Sequence, residues 1–205
     1  MKVRNLTLKL MFCLMIVFGV QLTAYAVDAI ATVGPNTPAA NIQYPNAGCA
    51  GPFILNTNNA FIRSKLVFGW YNPNVTVTFA PNLVGDPMCG NYAIDAQGIW
   101  RLILQGPNNM PVQFTVTDNA MGIPLLEGTF RRAVLHGTNG SSSLALTLYR
   151  DSVIYNPMNS PWLVGYGPDD GSLSIAIVSR LPVPAGANGP GVFQGNGDVN
   201  FAATD

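Results

Sequence analysis

Apolar and polar residues alternate with a period of two through much of the sequence. In the closing stretch, 191–205, Phe193, Gly195, Gly197, Val199 and Phe201 fall on one side, and mainly polar residues fall on the other. A period of two is typical of a half-buried β-strand. Further strand-like runs are found at 61–70, 75–79, 98–104, 112–117, 129–136, 143–152, 162–166 and 172–179.

Short stretches rich in Gly, Pro and Asn separate these runs, such as "NPN", "QGPNNMP", "HGTNG" and "GPDDG". They are typical of turns, because Gly supplies positive φ and Pro fixes φ. Residues 34–60 have the same composition and predict irregular structure with a short strand around Cys49. No window combines a helical apolar stripe with capping signals over more than about two turns. The pattern predicts an all-β protein, either a sandwich or a barrel.

The first 26 residues have the layout of a secretory signal peptide. Lys2, Arg4 and Lys9 precede the apolar run "LMFCLMIVFGV", and small residues surround the end of "AYA". The apolar run is too short for a spanning helix. We therefore predict export, with Val27 as the first residue of the mature chain.

Removal of this leader changes the charge and the cysteine count. Seven basic side chains then face ten carboxylates, a formal charge of −3, which argues against nucleic acid as a partner. The remaining length suits a single domain. Cys49 and Cys89 remain, and an isolated pair in an exported chain predicts a disulfide. A zinc site normally needs more ligands than two cysteines and one histidine supply.

The sequence offers little for catalysis or metal binding. His136 is the only histidine, no G-x-S-x-G elbow is present, and Ser141–Ser143 lie in a turn-like context. The carboxylates carry neither an EF-hand spacing nor a paired-carboxylate motif. We predict no catalytic residue, no metal and no cofactor; the carboxylates considered are Asp151, Asp169, Asp170 and Glu127.

The N-terminal segment "VDAIATV" also alternates, with Val27, Ala29, Ala31 and Val33 on one side. Gly34 and Pro35 end the run, and a loop-rich stretch separates it from the other strand-like runs. Two interpretations are open. It is either an ordinary first strand or tail of the domain, or a strand that pairs with another molecule.

Taken together, these features resemble chaperone-usher fimbrial subunits, the pilins of Gram-negative surface fibres, including the archaic spore-coat-U-like branch. The resemblance rests on the leader followed by "VDAIATVGP", and on Cys49 and Cys89, which are 40 residues apart. It also rests on "LALTLYRDS" at 144–152 and on the final 33 residues, 173–205. In the family, a disulfide joins the first strand to the end of the second.

The resemblance implies an immunoglobulin-like β-sandwich that lacks its last strand. It divides the chain into a signal peptide (1–26), an N-terminal extension (27–40) and a pilin-like domain (41–205). The extension would donate a strand to a neighbouring subunit through Val27, Ala29, Ala31 and Val33, or through Ile30 if its other face inserts. The acceptor edge would contain Phe193, Gly195, Gly197, Val199 and Phe201, with the two glycines leaving room for donor side chains.

The same resemblance implies a non-enzymatic protein, and it also implies partners and a location. These are neighbouring pilus subunits, a periplasmic chaperone and an outer-membrane usher, in a protein exported through the periplasm to a cell-surface fimbria that contributes to adhesion or biofilm formation. The alternative from another class is a stand-alone secreted carbohydrate-binding or adhesive module. Its binding surface would use the aromatic residues Trp70, Tyr71, Trp162 and Tyr166.

Overall fold

The computed structural model describes residues 27–35, 42–64, 74–148, 154–155 and 171–204. These ranges are all-β, as the alternation predicts, with one 3-10 turn at Pro107–Asn109 and no α-helix among them. None of the described segments is a helix with the length and apolar character needed to cross a bilayer. The strands are β1 Val27–Pro35, β2 Ile42–Tyr44, β3 Pro52–Ser64, β4 Asn74–Ala80, β5 Leu83–Gly85, β6 Tyr92–Ile94, β7 Ile99–Gln105, β8 Val112–Asp118, β9 Pro124–Phe130, β10 Arg132–Thr138, β11 Ser141–Leu148, β12 Ile154–Tyr155, β13 Gly171–Val183, β14 Ala185–Gly186, β15 Gly189–Pro190 and β16 Phe193–Thr204.

Strand pairing forms a closed ring. It runs from β1 through β16, β13, β11, β10, β7, β5 and β3, and returns to β1. From the second half of β3, the strands β4, β8, β9 and β12 extend the pairing outside the ring. The open edge that the resemblance implies is absent from the described strands β3 and β16 at this position, because β1 pairs with both of them.

Strand β3 is the branch point of the fold. Its first residues pair with β5 on one edge and β2 on the other, and its later residues pair with β4 and β1. Strand β4 then pairs with β8, whereas β5, only three residues further along, pairs with β7. The segment 74–85 thus contributes β4 to the strands outside the ring and β5 to the ring itself.

The core follows the predicted alternation. Strand β8 buries Val112, Phe114 and Val116, and its intervening side chains are exposed or half-buried. Across the core, the ring of Phe114 contacts that of Phe201 in the last strand, with 5.4 Å between centroids. Ring pairs at this distance add to the stabilisation from apolar burial. The largest fully buried side chains are Trp100, Tyr44, Phe53, Phe114, Phe201, Ile42, Leu83, Leu102, Leu104 and Leu126.

Several strand boundaries differ from those predicted. The run 129–136 is divided between β9 and β10, because Phe130 and Ala133 are both buried and the two arginines between them are exposed. Two consecutive outward residues break the period of two and mark a turn. Strand β3 begins within the stretch predicted to be irregular, and 162–166 lies outside the described residues.

The disulfide is confirmed. Cys49 and Cys89 are bonded, with 5.3 Å between their Cα atoms. The strand predicted around Cys49 is wrong, since Cys49 lies in the turn between β2 and β3, and Cys89 lies in the connection between β5 and β6. The bond therefore joins two connections at one end of the fold and restricts the chain between them.

Replacing both cysteines with alanine (Cys49→Ala, Cys89→Ala) should lower the free energy of unfolding by about 4 kcal/mol, because a loop of about 40 residues is then no longer closed in the unfolded chain. Urea unfolding of the oxidised wild type and of the double variant measures the difference. Wild type under reducing conditions is the control and should unfold like the variant. An identical midpoint for the oxidised wild type and the variant would contradict the prediction.

Candidate functional site

The N-terminal strand fills a slot between the last strand and β3. Strand β1 is antiparallel to both, so Val33 pairs with Val199 on one side and with Ile62 on the other. Ala31 likewise pairs with Phe201. The structure therefore brings the predicted donor residues and the predicted acceptor edge together, but within a single chain.

The two faces of β1 have different surroundings. Val33 is 1% exposed and lies opposite the fully buried Val199, so this residue inserts as the alternation predicts. Next to it, the hydroxyl of Thr32 donates a hydrogen bond to Oδ1 of Asn200 at 3.0 Å. A bulge between Ala29 and Ala31 shifts the register of β1 against β16. The side chains of Val27, Ala29 and Ala31, which were predicted to insert with Val33, lie outside those that the structure describes.

Strand β2 fills the continuation of the same slot. Ile42 pairs with Gly195 of β16 and Leu55 of β3, and Tyr44 pairs with Phe193. The sequence interpretation missed this strand, because three residues within a Gly-, Pro- and Asn-rich stretch are too few to establish a period. The one signal is the apolar-polar-apolar order of Ile42, Gln43 and Tyr44.

Residues of this chain occupy the space that the inner glycines leave. A Cβ at Gly197 would lie 2.6 Å from Cδ1 of Ile42 and 2.6 Å from the carbonyl oxygen of Ala176. A Cβ at Gly195 would collide with the carbonyl oxygen of Val178. The glycines therefore allow β2 and β13 to pack closely against β16. The side chain that fills the space beside Gly197 is Ile42 of β2, not a residue of β1.

Tyr44 fixes β2 to the turn that follows it. Its buried hydroxyl donates to the carbonyl oxygen of Gly48 at 2.6 Å and accepts from the N–H of Gly51 at 3.1 Å, and its ring stacks on Phe193 with 5.6 Å between centroids. Burial raises the pKa of Tyr44 to about 12, and the hydrogen bond with Gly51 acts in the opposite direction. Strand β2 is thus attached to the body of the domain by side-chain contacts.

The other candidate residues do not form a site in the part of the chain that is described. His136 is half-buried on β10 opposite Arg101, and burial together with the charge of Arg101 lowers its pKa, so that its imidazole is mainly neutral at pH 7. Ser141 and Ser143 lie at the start of β11, and the hydroxyl of Ser141 accepts a hydrogen bond from the N–H of Ser143 at 3.0 Å across the bulge there. Glu127 lies half-buried in β9.

Within the described ranges, no group of three or more His, Cys, Asp or Glu side chains is placed to hold a metal ion. The remaining candidates lie outside those ranges. They are the carboxylates Asp151, Asp169 and Asp170 and the aromatic residues Trp70, Tyr71, Trp162 and Tyr166.

Comparison with protein-family models, with curated proteins and with solved structures finds no match to this chain. The slot between β3 and β16, filled by β1 and β2, is the candidate functional site on the strength of its own geometry.

The packing at Gly197 predicts an unequal response to two glycine substitutions. Gly197→Ala should lower the free energy of unfolding by about 1–3 kcal/mol, because the added methyl group overpacks the contact with Ile42 and β13. Gly186→Ala is the matched control, since its Cβ would have nothing within 4 Å, and a change within about 0.5 kcal/mol is expected. Urea unfolding compares the two, and equal effects would refute the packing argument.

The environment of Tyr44 predicts a change in stability at alkaline pH. The phenol has a pKa near 10 in the unfolded chain and about 12 in the folded chain, so the unfolded state binds fewer protons between these values. The free energy of unfolding attributable to Tyr44 is therefore fully present below pH 10 and falls as the pH rises towards 12.

The variant Tyr44→Phe removes this titration and leaves the Gly51 N–H without its acceptor. At pH 8 it should be less stable than wild type by about 1–3 kcal/mol. The difference should shrink between pH 10 and 12, as measured by urea unfolding at each pH. A difference that stays constant across this range would show that Tyr44 titrates alike in both states.

Proposed function

We propose that this protein is an exported structural subunit of a cell-surface fimbria, and that its copies join by exchange of strand β1. The observation that supports this proposal is the position of β1, an N-terminal strand that lies between β3 and β16 and pairs with both. A β1 segment from a second copy would make the same pairs, because exchange of an identical element preserves its contacts.

The boundary of the exchanged element follows from the side chains that hold β2. Ile42 occupies the space beside Gly197, and Tyr44 is hydrogen-bonded to Gly48 and Gly51. Strand β2 therefore stays with its own body when β1 leaves. In the proposed assembly, β1 in the slot comes from the neighbouring copy and β2 from the receiving copy, so the boundary between the two copies lies between Pro35 and Ile42. The part of the slot filled by β2 stays occupied, and the part filled by β1 is exchanged.

Removal of β1 would leave a surface of the kind that the resemblance to pilins implies for the acceptor. The edges of β3 and β16 would carry unpaired N–H and C=O groups, beside the buried side chains of Val199 and Phe201. An edge of this kind promotes pairing with any available strand. The proposed fold is an immunoglobulin-like sandwich that is completed by a strand from another molecule. A periplasmic chaperone would cover the open edge first, and at the usher the β1 strand of the next subunit would replace it. Both steps are β-augmentation.

Exchange of β1 also accounts for a fibre rather than a closed oligomer. The strand and the slot are different surfaces of the same molecule, so each copy offers one of each to different neighbours. Such a heterologous contact builds a filament when the rotation between successive copies does not close a ring. The assembly needs no nucleic acid, and the formal charge of −3 on the chain after residue 26 is consistent with this.

A second candidate is the stand-alone secreted adhesive or carbohydrate-binding module. The observation that favours it is the pairing of β1 within its own chain, on both edges, which closes the ring and leaves no open slot between β3 and β16 at this position. A module that folds and acts as a monomer is expected to have this arrangement.

A cysteine pair across the slot separates the two candidates. Thr32→Cys with Asn200→Cys places two thiols where the native side chains are hydrogen-bonded at 3.0 Å, so oxidation should link whichever β1 occupies the slot. The mature chain is unfolded in urea, refolded at low and at high protein concentration, oxidised and separated on a non-reducing gel. Strand exchange predicts a ladder of covalent oligomers that increases with protein concentration.

The matched control is Thr76→Cys with Thr117→Cys, which pairs β4 with β8 inside the body and should give monomers at every concentration. Monomers from both cysteine pairs would reject exchange and favour the stand-alone module.

A further inference from the structure

The methionines in the described part of the chain lie in the connections between strands. Met88 is between β5 and β6, Met110 follows the 3-10 turn between β7 and β8, and Met121 is in the turn between β8 and β9. Their side chains are 86%, 50% and 55% exposed, in that order. The buried hydrophobic core of the described residues contains no methionine, and Cys49 supplies its one sulfur atom. Methionine is among the residues that are most often buried, so this placement differs from the usual one.

Each of these methionines holds its turn through its backbone. The N–H of Met88 donates to Oδ1 of Asp86 at 2.9 Å, and the N–H of Met121 donates to Oδ1 of Asp118 at 3.0 Å. The N–H of Met110 closes the 3-10 turn, at 3.1 Å from the carbonyl oxygen of the first residue in that turn. Every residue except proline supplies the same N–H, so a chemical change in the side chain leaves these hydrogen bonds in place.

A thioether exposed to water is open to oxidation by a peroxide. The sulfur attacks one oxygen of hydrogen peroxide, the O–O bond breaks, that oxygen becomes bonded to the sulfur, and a water molecule leaves. The sulfur is oxidised by two electrons to a sulfoxide, and the peroxide is reduced. The sulfoxide is polar, so it disrupts a core but costs little where the side chain is already in water.

We propose that Met88, Met110 and Met121 are modification sites for hydrogen peroxide, at which the protein takes up oxygen and keeps its fold. This inference goes beyond assembly and does not depend on the exchange of β1. The three thioethers lie in separate turns whose hydrogen bonds come from the backbone, so each can be oxidised without the others. Met88 has the largest exposed fraction, and its thioether should therefore react fastest.

Peptide mapping after peroxide treatment measures the three rates. The folded mature chain carries Met158→Leu, because Met158 lies outside the described residues and its thioether would contribute to any change in stability. Samples taken over time are quenched and digested, and mass spectrometry gives the oxidised fraction at each methionine. Urea unfolding before and after treatment measures the effect of the three sulfoxides on stability.

The matched control places a thioether in the core of the same chain. Leu102→Met conserves side-chain volume at a fully buried position of β7. The three turn methionines should oxidise at least about tenfold faster than this buried thioether in the folded protein. The urea midpoint should stay the same when the three turn methionines are oxidised. It should fall when Leu102→Met is oxidised in urea and then refolded.

Two results would overturn the proposal. A turn methionine that reacts as slowly as the buried reporter is not a modification site. Three sulfoxides that lower the urea midpoint as much as the oxidised core reporter would reject the claim that the fold is kept. Leu126→Met, at a fully buried position of β9, is a second core reporter for the case in which Leu102→Met folds poorly.

Discussion

The fold depends on the pairing of two strand edges, those of β3 and β16, which do not pair with each other along the slot. Each peptide group in an edge needs a hydrogen-bond partner once it is removed from water. Residues 27–35 and 42–44 supply these partners on both sides. Every other pairing in the ring is made between strands of the body, so the N-terminal segments complete a sheet that the remaining chain builds incompletely.

The two segments that fill the slot are held by different forces. Strand β2 is short but carries Ile42 and Tyr44, which are both buried. Strand β1 is three times as long and pairs along both of its edges, with β16 and with β3. Backbone pairing of this kind would be the same whichever copy supplied the strand, which supports the proposal that β1 is exchanged and β2 is not.

Local periodicity predicted the strands that alternate over six or more residues. Strands β4, β7, β8, β13 and β16 lie where the pattern placed them, because one face of each is buried. Strands β2, β5 and β6 were missed, since three residues do not define a period. The run 129–136 was wrongly predicted as one strand. Its apolar residues suggested a continuous strand, although the two consecutive arginines mark a turn at Arg131.

The candidate site was only partly accessible from sequence. Alternation identified both walls of the contact, β1 and β16, but periodicity carries no information about which chain supplies a partner strand. The glycines at 195 and 197 were predicted to leave room for donor side chains, whereas their neighbours in the structure are Ile42 and the backbone of β13. The hydrogen bonds of Tyr44 depend on the turn at 45–51, whose conformation no residue pattern specified.

The contact between β1 and β16 also sets an order of events during synthesis. Thr32 and Asn200, which are joined by a hydrogen bond, are separated by 168 residues. Chains emerge from the N-terminus, so β1 is made well before its partner β16. While the intervening residues are being synthesised, β1 has no partner on that side. Closure of the ring within one chain must therefore wait until β16 has emerged.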